Sequence, residues 1–220
     1  MTDKKTQLIE LSYENKILSF GDYTLKSGRK SPYFFNSGLY TSAAALSSVA
    51  ASFAEMIHNS PEYEFDVVFG PAYKGISLAA ITLVKLVELD AAKYGKVEFA
   101  YNRKEKKDHG EGGMTVGAKL EGKRVLILDD VMTAGTAIKE SMAIIAAENA
   151  VLAGVALILD RKERMVEHDY SMIDHVKKEY GVPVKAVINV FDILSYFRGK
   201  LDDELIARME AYLAQYAVKA

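Results

Sequence analysis

The chain has 220 residues, of which 50% are hydrophobic and 26% charged, the composition of an ordinary globular protein with one well-buried core. Its 28 lysines and arginines against 30 aspartates and glutamates leave a net charge of -2, so no overall field attracts nucleic acid or anionic lipid. Cysteine is absent, which excludes disulfides, thiol nucleophiles and the usual structural zinc sites. Because the chain has no net positive charge, we expect no nucleic-acid partner.

The N-terminal segment carries a charge every few positions and lacks the hydrophobic core of a signal peptide. It predicts a helix over about residues 4 to 19. No uninterrupted apolar stretch of the chain reaches the length that a membrane span needs. We expect a cytoplasmic protein with no membrane partner.

The next segment, from Phe20 to Tyr40, contains glycine and aromatic residues, and we expect a small hood over the edge of the main sheet. Thr41 or Ser42 is predicted to open a helix. From residue 65 onward, short apolar runs alternate with helical patterns, which predicts a parallel sheet wrapped by helices. The predicted strands are FDVVFG, KVEFAY, RVLILDD, VLAGVALILD and VKAVINV, and the predicted helices cover 75 to 90, 136 to 149 and 167 to 180.

The C-terminal end predicts an amphipathic helix, with Leu201, Leu205 and Met209 on one face and no visible chemistry. No internal repeat, low-complexity tract or linker interrupts the chain. We therefore predict a single α/β domain over residues 1–220. Its core covers about 60–200, and its hood covers about 20–40 together with the N-terminal helix.

The stretch VLILDDVMTAGTA, Val125 to Ala137, carries the strongest functional signal. Its apolar run predicts a strand buried on both faces, and parallel sheets bind ligands beyond the carboxyl ends of their strands. Asp129 and Asp130 fall at that edge, where carboxylates suit sugar hydroxyls, a cation or the reacting carbon of a ribose. The small residues after them, before a helix, allow backbone N–H groups to converge on an anion. A solvated acidic turn explains two or three of these residues but not the whole string.

The segment YNRKEKKDHGEGG, Tyr101 to Gly113, is a second candidate. Four of the seven residues from Arg103 to His109 are fixed cations, and the glycines at 110, 112 and 113 predict a mobile loop. A solvated surface loop is the alternative. Beside a phosphosugar site, mobile positive charge serves a pyrophosphate group, and the residues that would supply it are Arg103, Lys104, Lys107 and His109.

The string from 125 to 137 closely resembles the phosphoribosyl pyrophosphate (PRPP) signature of type I phosphoribosyltransferases. The loop R-K-x-x-K-D-H-G-E-G-G is similar to the catalytic loop of the orotate branch of that family. Three further features agree with this family: the segments LKSGRKSPYFFN and GPAYKGI, and the arginine after VALILD. The resemblance therefore spans about residues 20 to 200. No G-x-x-x-x-G-K-[ST] occurs, nor a G-x-G-x-x-G after a strand, which disfavours a P-loop or dinucleotide fold.

The resemblance implies the type I phosphoribosyltransferase fold, a central parallel sheet flanked by helices with a small N-terminal hood. It implies transfer of ribose 5-phosphate from PRPP to N1 of orotate, giving orotidine 5'-monophosphate and pyrophosphate in UMP synthesis. Mg²⁺ is the implied cofactor, held mainly by PRPP and waters rather than by a dedicated ligand set. A homodimer is also implied, with loop 103–113 shared across the interface. The chain length suggests the single-activity form without a fused decarboxylase.

The resemblance also assigns site residues. The implied catalytic residues are Lys26, Lys107, His109, Asp129 and Asp130. The residues implied to bind PRPP are Lys26, Tyr73, Lys74, Arg103, Lys104, Lys107, His109, Asp129, Asp130, Val131, Met132, Thr133, Ala134, Gly135, Thr136 and Ala137. Those implied for orotate are Lys26, Phe34, Phe35, Thr133 and Arg161. Phe34 and Phe35 also fit ordinary core aromatics, and Arg161 also fits a surface arginine.

Three rival functions remain at this point. The nearest is a phosphoribosyltransferase for another acceptor, which shares the 125–137 string but not the basic loop and Arg161. A PRPP-sensing regulator that binds nucleic acid would need a basic face or an added DNA-binding domain, and neither is visible. A generic nucleotide-binding protein would need a phosphate motif that the chain lacks.

Overall fold

A computed structural model describes residues 3–107, 113–132 and 135–218, without the side chains of residues 106 and 107. The strands are β1 Leu18–Thr24, β2 Lys30–Phe35, β3 Val67–Gly70, β4 Glu98–Lys107, β5 Gly113–Gly117, β6 Arg124–Val131, β7 Val151–Asp160 and β8 Val184–Asn189. The helices are α1 Lys4–Glu14, α2 Ala43–His58, α3 Lys74–Leu89, α4 Ala91–Tyr94, α5 Thr136–Ala147, α6 Met172–Tyr180, α7 Val190–Phe197 and α8 Asp203–Tyr216, with a 3-10 turn at Ser37–Leu39.

Six strands form the main sheet in the order β5-β4-β3-β6-β7-β8. The five predicted strands are confirmed, and they pair with one another in parallel. Because β3, β6 and β7 have neighbours on both sides and helices over both faces, their apolar runs are continuous rather than alternating. All carboxyl ends of these strands lie at one edge, which is where the sequence places its candidate site.

The edge strand β5 was not predicted, and it changes the interpretation of the basic segment. β4 continues to Lys107 and pairs antiparallel with β5, so residues 103 to 107 are strand rather than loop. The far end of β5 lies close to β4 at Gly117, which pairs with Ala100, has a φ of 100° and leaves no space for a Cβ beside the carbonyl oxygen of Phe99. β5 was missed because it has only five residues and begins and ends with glycine, and the charged residues 103 to 107 of β4 leave no apolar pattern.

The core lies on both faces of the sheet. The side chains of β6 from Val125 to Leu128 are fully buried. Leu126 and Leu128 pack in the cluster under α2, α3 and α7, whereas Val125 and Ile127 pack in the cluster under α5 and α6. This alternation fixes which way each residue after the strand points.

The hood is the antiparallel hairpin of β1 and β2 followed by the 3-10 turn. Along β2 the side chains of Tyr33 and Phe35 are buried, whereas Phe34 between them is exposed. Ser42 is the residue that caps α2, through a 3.1 Å bond from the Ala45 N–H. Helix α6 begins later than predicted, at Met172, because Ser171 forms a capping box with Asp174.

Two further differences from the prediction concern helices. The first helix stops at Glu14 instead of reaching residue 19, since β1 starts at Leu18. Helix α7 was not predicted, because its apolar residues continue directly from β8, and Asn189 and Asp192 cap it. Within the described ranges, no helix has both the length and the apolar character needed to cross a membrane.

Candidate active site

A cavity of about 280 Å³ opens at the carboxyl edge of the sheet. It brings together eight of the predicted PRPP residues, namely Lys26, Lys104, Asp129, Val131, Met132, Gly135, Thr136 and Ala137. Two residues that were not predicted, Ile138 and Glu140, also line it. The cavity therefore joins the hood turn, the basic hairpin, the end of β6 and the start of α5.

Asp129 is buried at the end of β6, with 9% of its surface exposed. Its Oδ1 accepts a 2.9 Å hydrogen bond from the Asp130 N–H. Burial, followed by the neighbouring charge of Asp130, raises the pKa of Asp129 to about 7. A ligand that brings hydroxyl donors or positive charge to this carboxyl stabilises its ionised form.

Asp130 has a different environment because it is already paired. Its Oδ2 lies 3.1 Å from the ammonium of Lys74 and accepts a hydrogen bond from the Ser37 hydroxyl. Its Oδ1 accepts from the Val131 N–H at 2.7 Å. Ser37 belongs to the hood, so this carboxylate joins the hood to the main sheet. Ser37 could not be predicted from the sequence, since its contact with Asp130 joins segments 93 residues apart.

The sequence predicts an anion cradle at the start of α5. Gly135 has a φ of 70° and precedes Thr136, the first residue of α5, and among the described residues no side chain caps the helix. A Cβ at Gly135 would lie 2.8 Å from the sulfur of Met172, so both the backbone and the packing favour glycine. The first-turn N–H groups of a helix attract anions. Thr133 and Ala134, which were predicted to complete the cradle, lie outside the described residues.

The turn between β3 and α3 carries Tyr73 and Lys74. The Ala72 N–H donates to Oδ1 of Asn102 at 2.8 Å, and a cis peptide bond joins Ala72 to Tyr73. A Cβ at Gly75 would lie 2.6 Å from Pro71 and 2.9 Å from the Leu128 carbonyl oxygen, so this turn packs tightly against β6. Asn102 is buried, and it was not predicted because it falls in the segment from Tyr101 to Gly113 that was expected to be a loop.

The basic hairpin reaches the cavity through Lys104. Its ammonium lies 3.1 Å from Oε2 of Glu140 on α5, and Nη1 of Arg103 donates to the Gly113 carbonyl at 3.4 Å. The side chain of Lys107 and the whole of His109 lie outside the described residues, so their roles stay predictions.

Arg161 follows β7 at the same edge and is buried, so the alternative of a surface arginine is wrong. Its Nε donates to Oε1 of Glu163 at 2.7 Å, and its Nη2 donates to the Ser31 hydroxyl at 3.1 Å. The guanidinium carbon lies 4.1 Å from the centroid of the Tyr33 ring. Burial raises the pKa of Tyr33, which keeps this phenol neutral beside the arginine. A buried, oriented guanidinium is suited to bind a planar carboxylate.

The two predicted hood phenylalanines differ. Phe34 is 40% exposed and stacks on Tyr23 with 5.4 Å between ring centroids. The Phe35 ring packs in the core, which agrees with the alternative that it is an ordinary core aromatic. Only the backbone of Phe35 is therefore available to a ligand. Lys26 is exposed in the turn between β1 and β2 and lines the cavity.

Comparison with known proteins gives consistent matches. A family profile described as "Phosphoribosyl transferase domain" matches residues 39–192. An orotate phosphoribosyltransferase of Yarrowia lipolytica is 51% identical over 215 residues, which cover 98% of this chain and 98% of the relative. One from Schizosaccharomyces pombe is 50% identical over 216 residues, covering 98% and 99%. The crystal structure of the Francisella tularensis orotate phosphoribosyltransferase superposes with a TM-score of 0.83 at 40% identity, covering 96% of this chain and 99% of that one.

Proposed function

The chain belongs to the orotate phosphoribosyltransferase family of type I phosphoribosyltransferases, and from this membership we propose how its site performs the reaction. The reaction transfers ribose 5-phosphate from PRPP to N1 of orotate and releases pyrophosphate, a step of pyrimidine biosynthesis. One observation carries the assignment of the site. The cavity joins Asp129 and the start of α5 to two lysines, at the same sheet edge as the buried Arg161.

PRPP occupies the cavity in this proposal. The N–H groups at the start of α5 hold its 5'-phosphate, because Gly135 and the uncapped helix leave those donors facing the cavity. Asp129 and Asp130 bind the ribose hydroxyls. Lys26, Lys74, Arg103 and Lys104 neutralise the pyrophosphate from the hood, the β3–α3 turn and the hairpin. We also assign Tyr73, Lys107, His109, Thr133 and Ala134 to PRPP, from the family resemblance.

Orotate binds between the hood and the end of β7. Arg161 takes its carboxylate, and the segment of Phe34 and Phe35 holds the flat ring, partly through backbone groups. The exposed Phe34 ring is the one placed to cover a planar base. Lys26 and Thr133 complete this assignment, since each approaches both the base and PRPP in the family.

Catalysis is mainly electrostatic. Positive charge develops on the ribose and negative charge on the leaving pyrophosphate, so fixed groups of opposite sign lower the barrier on both sides. Asp129 in its ionised form faces the cationic sugar, and Lys74 is held toward the leaving group by its 3.1 Å pair with Asp130. The hood covers the site and limits the access of water to the activated ribose.

A magnesium ion fits the donor chemistry at this edge. Mg²⁺ prefers oxygen ligands and keeps several waters, and Asp129 and Asp130 offer carboxylate oxygens at the end of β6. Burial and repulsion raise the pKa of Asp129, so a cation nearby relieves an existing cost. Within the described ranges, no group of three or more histidine, aspartate or glutamate side chains converges as a metal site. We propose that PRPP and waters supply most of the ligands and that the ion neutralises the pyrophosphate.

We further propose a cytoplasmic homodimer of single-domain subunits that shares the 103–113 hairpin. Exposed apolar side chains support this, because Tyr73, Val84 and Leu89 are 73%, 58% and 49% exposed on or beside α3. Lys74 begins the same helix, so this surface borders the site. Mixing Lys107→Ala subunits with Asp130→Asn subunits should then restore activity in heterodimers. Absence of recovery after confirmed subunit exchange would argue for self-contained sites.

The assay that tests the function follows the loss of orotate absorbance with purified protein, PRPP and Mg²⁺, with uracil and hypoxanthine in parallel. Consumption of orotate alone is the expected result. Consumption of another base alone would leave the sugar site standing and remove the roles of Phe34, Phe35 and Arg161. Lack of reaction with every base would favour the PRPP-sensing alternative.

A further inference from the structure

Glu163 connects three separate parts of the chain beside the proposed orotate site. It lies two residues after Arg161, and only 13% of its side chain is exposed. Its Oε1 accepts hydrogen bonds from Nε of Arg161 at 2.7 Å and from the Tyr212 hydroxyl at 2.8 Å. Its Oε2 lies 3.4 Å from Nη1 of Arg29. One carboxylate therefore joins the segment after β7 to α8 and to the hood turn.

These contacts determine how Arg161 is presented. Glu163 occupies the edge of the guanidinium that carries Nε and Nη2, with Oε1 2.7 Å from each nitrogen. Ser31 accepts from Nη2, and the Tyr33 ring covers one face. The guanidinium plane is thereby fixed. Glu163 and Ser31 use both N–H groups of Nη2, so Nη1 is the terminal nitrogen that we expect to donate to a substrate carboxylate.

The charges of this cluster do not cancel. Two guanidinium groups, of Arg29 and Arg161, share the single carboxylate of Glu163, which leaves one net positive charge. The adjacent Lys162 and Asp160 pair at 3.0 Å and balance each other. Burial, followed by Glu163, raises the pKa of Tyr212 to about 12, so its phenol stays neutral. The carboxylate of a bound substrate would neutralise the remaining positive charge.

The backbone around Glu163 is held by the C-terminal end of the chain. The Arg164 N–H donates to the Tyr216 carbonyl at 2.8 Å, and the Val218 N–H donates to the Lys162 carbonyl at 2.8 Å. Glu163 and Ala217 thus form an antiparallel bridge. The C-terminal helix, for which the sequence showed no chemistry, therefore supports the base-binding segment directly.

We propose that Glu163 is a positioning residue that determines recognition of the orotate carboxylate, by fixing the plane of Arg161 and tying it to the hood and the C-terminal helix. This inference rests on the proposed function, because it assumes that Arg161 binds orotate. A role limited to charge would have the opposite effect. If Glu163 merely weakened the arginine charge, its removal would tighten binding.

The test is steady-state kinetics of Glu163→Gln, which keeps the size of the side chain and removes its charge. We expect the KM for orotate to rise about 10-fold or more, as loss of a charge-assisted hydrogen bond predicts, with kcat and the KM for PRPP changed less than about threefold. Glu167→Gln is the matched control, since that exposed carboxylate is four residues further along the same segment. An unchanged or lower KM for orotate would overturn the proposal, as would an equal rise in both KM values.

Arg161→Ala separates this inference from the proposed function. If Arg161→Ala leaves the KM for orotate unchanged, the role of Arg161 fails, and this inference fails with it. If Arg161→Ala raises that KM but Glu163→Gln does not, only the positioning role is wrong. In the Arg161→Ala background, Glu163→Gln should change the KM for orotate by less than about twofold, because the group that it positions is gone.

Tyr212→Phe provides the same test if Glu163→Gln does not fold. It removes one hydroxyl that donates to Glu163 and leaves every charge in place. We expect a rise of about threefold to fivefold in the KM for orotate, the cost of one neutral hydrogen bond, again without change in the KM for PRPP. Unchanged kinetics in a folded Tyr212→Phe variant would remove the C-terminal helix from the proposal.

Discussion

The ammonium of Lys74 lies 3.1 Å from Oδ2 of Asp130, which joins the first residue of α3 to the end of β6. Sequence positions 56 residues apart thus form one charged pair at the site. Because Asp130 also accepts from Ser37, the pair sits where the hood, the β3–α3 turn and the β6 edge meet.

Lys74→Ala tests this pair in catalysis. We expect turnover to fall about 10²-fold, by analogy with the loss of one preorganised donor to developing charge. Stability should change by less than about 1 kcal/mol, because the lysine side chain is 51% exposed and such ion pairs contribute little. Lys85→Ala is the control, since Lys85 forms a pair with Glu88 on the same helix. Equal activity of the two variants would remove Lys74 from the machinery.

The pKa of Asp129 predicts a dependence of stability on pH. The unfolded chain ionises this carboxyl near its ordinary value of 3.8, whereas the folded chain keeps it protonated up to about 7. The folded state therefore binds more protons between about pH 4 and 7, so this group lowers the free energy of unfolding as pH rises through that window. We therefore expect the difference in free energy of unfolding between Asp129→Asn and wild type to shift in favour of the variant from pH 5 to pH 8. Thermal unfolding of both proteins at the two pH values measures this difference.

Asp66 supplies a control of opposite sign. Hydrogen bonds from Arg124 lower the pKa of Asp66 to about 2. Its stabilisation is present above about pH 4 and is lost as the pH falls toward 2, and screening keeps it small because the side chain is 35% exposed. Asp66→Asn should therefore lose stability relative to wild type at pH 5 and at pH 8 alike. A stability difference for Asp129→Asn that stays constant between pH 5 and pH 8 would contradict the assigned pKa.

The sequence predicted those parts of the site that lie on one continuous segment. Asp129, Gly135 and Thr136 follow the strand β6, and a strand buried on both faces has an apolar run that is easy to recognise. Ser37, Asn102 and Glu163 were missed because their roles depend on contacts with segments distant in the chain. The basic hairpin was partly misassigned, because the second half of β4 is charged and β5 is a five-residue strand with glycine at both ends, so neither leaves an apolar period.

Gly135→Ala tests the anion cradle. Both the φ of 70° and the contact with Met172 oppose a side chain there. We expect a loss of about 1 kcal/mol from the backbone alone, and a higher KM for PRPP because the N–H groups of α5 shift. Gly122→Ala is a matched control, since Gly122 has the same φ of 70° with open space around it. It should lose similar stability with an unchanged KM for PRPP, and a matching KM effect in both variants would contradict the cradle.

Asn102→Ala tests the support of the β3–α3 turn. The variant leaves the Ala72 N–H without its 2.8 Å acceptor, which should cost about 1 to 3 kcal/mol of stability. We expect kcat/KM for PRPP to fall about 10-fold, since Tyr73 and Lys74 follow this N–H directly. Asn102→Asp keeps an acceptor oxygen and should recover the stability, but not the activity, because it adds negative charge beside the pyrophosphate position. Full activity of Asn102→Ala would show that the turn holds its shape without this bond.

Glu140 places a negative charge in the cavity that we propose to bind PRPP, and its carboxylate pairs with Lys104 at 3.1 Å. Glu140→Gln removes that charge and leaves Lys104 to interact with pyrophosphate. We expect the KM for PRPP to fall about twofold to fivefold, a modest effect because both side chains are 40% or more exposed and partly screened. Glu148→Gln is the control, since this second acidic residue lies just beyond the C-terminal end of α5 and bonds Thr115 instead. A higher KM for PRPP in Glu140→Gln alone would mean that Glu140 orients Lys104 for the substrate rather than competing for it.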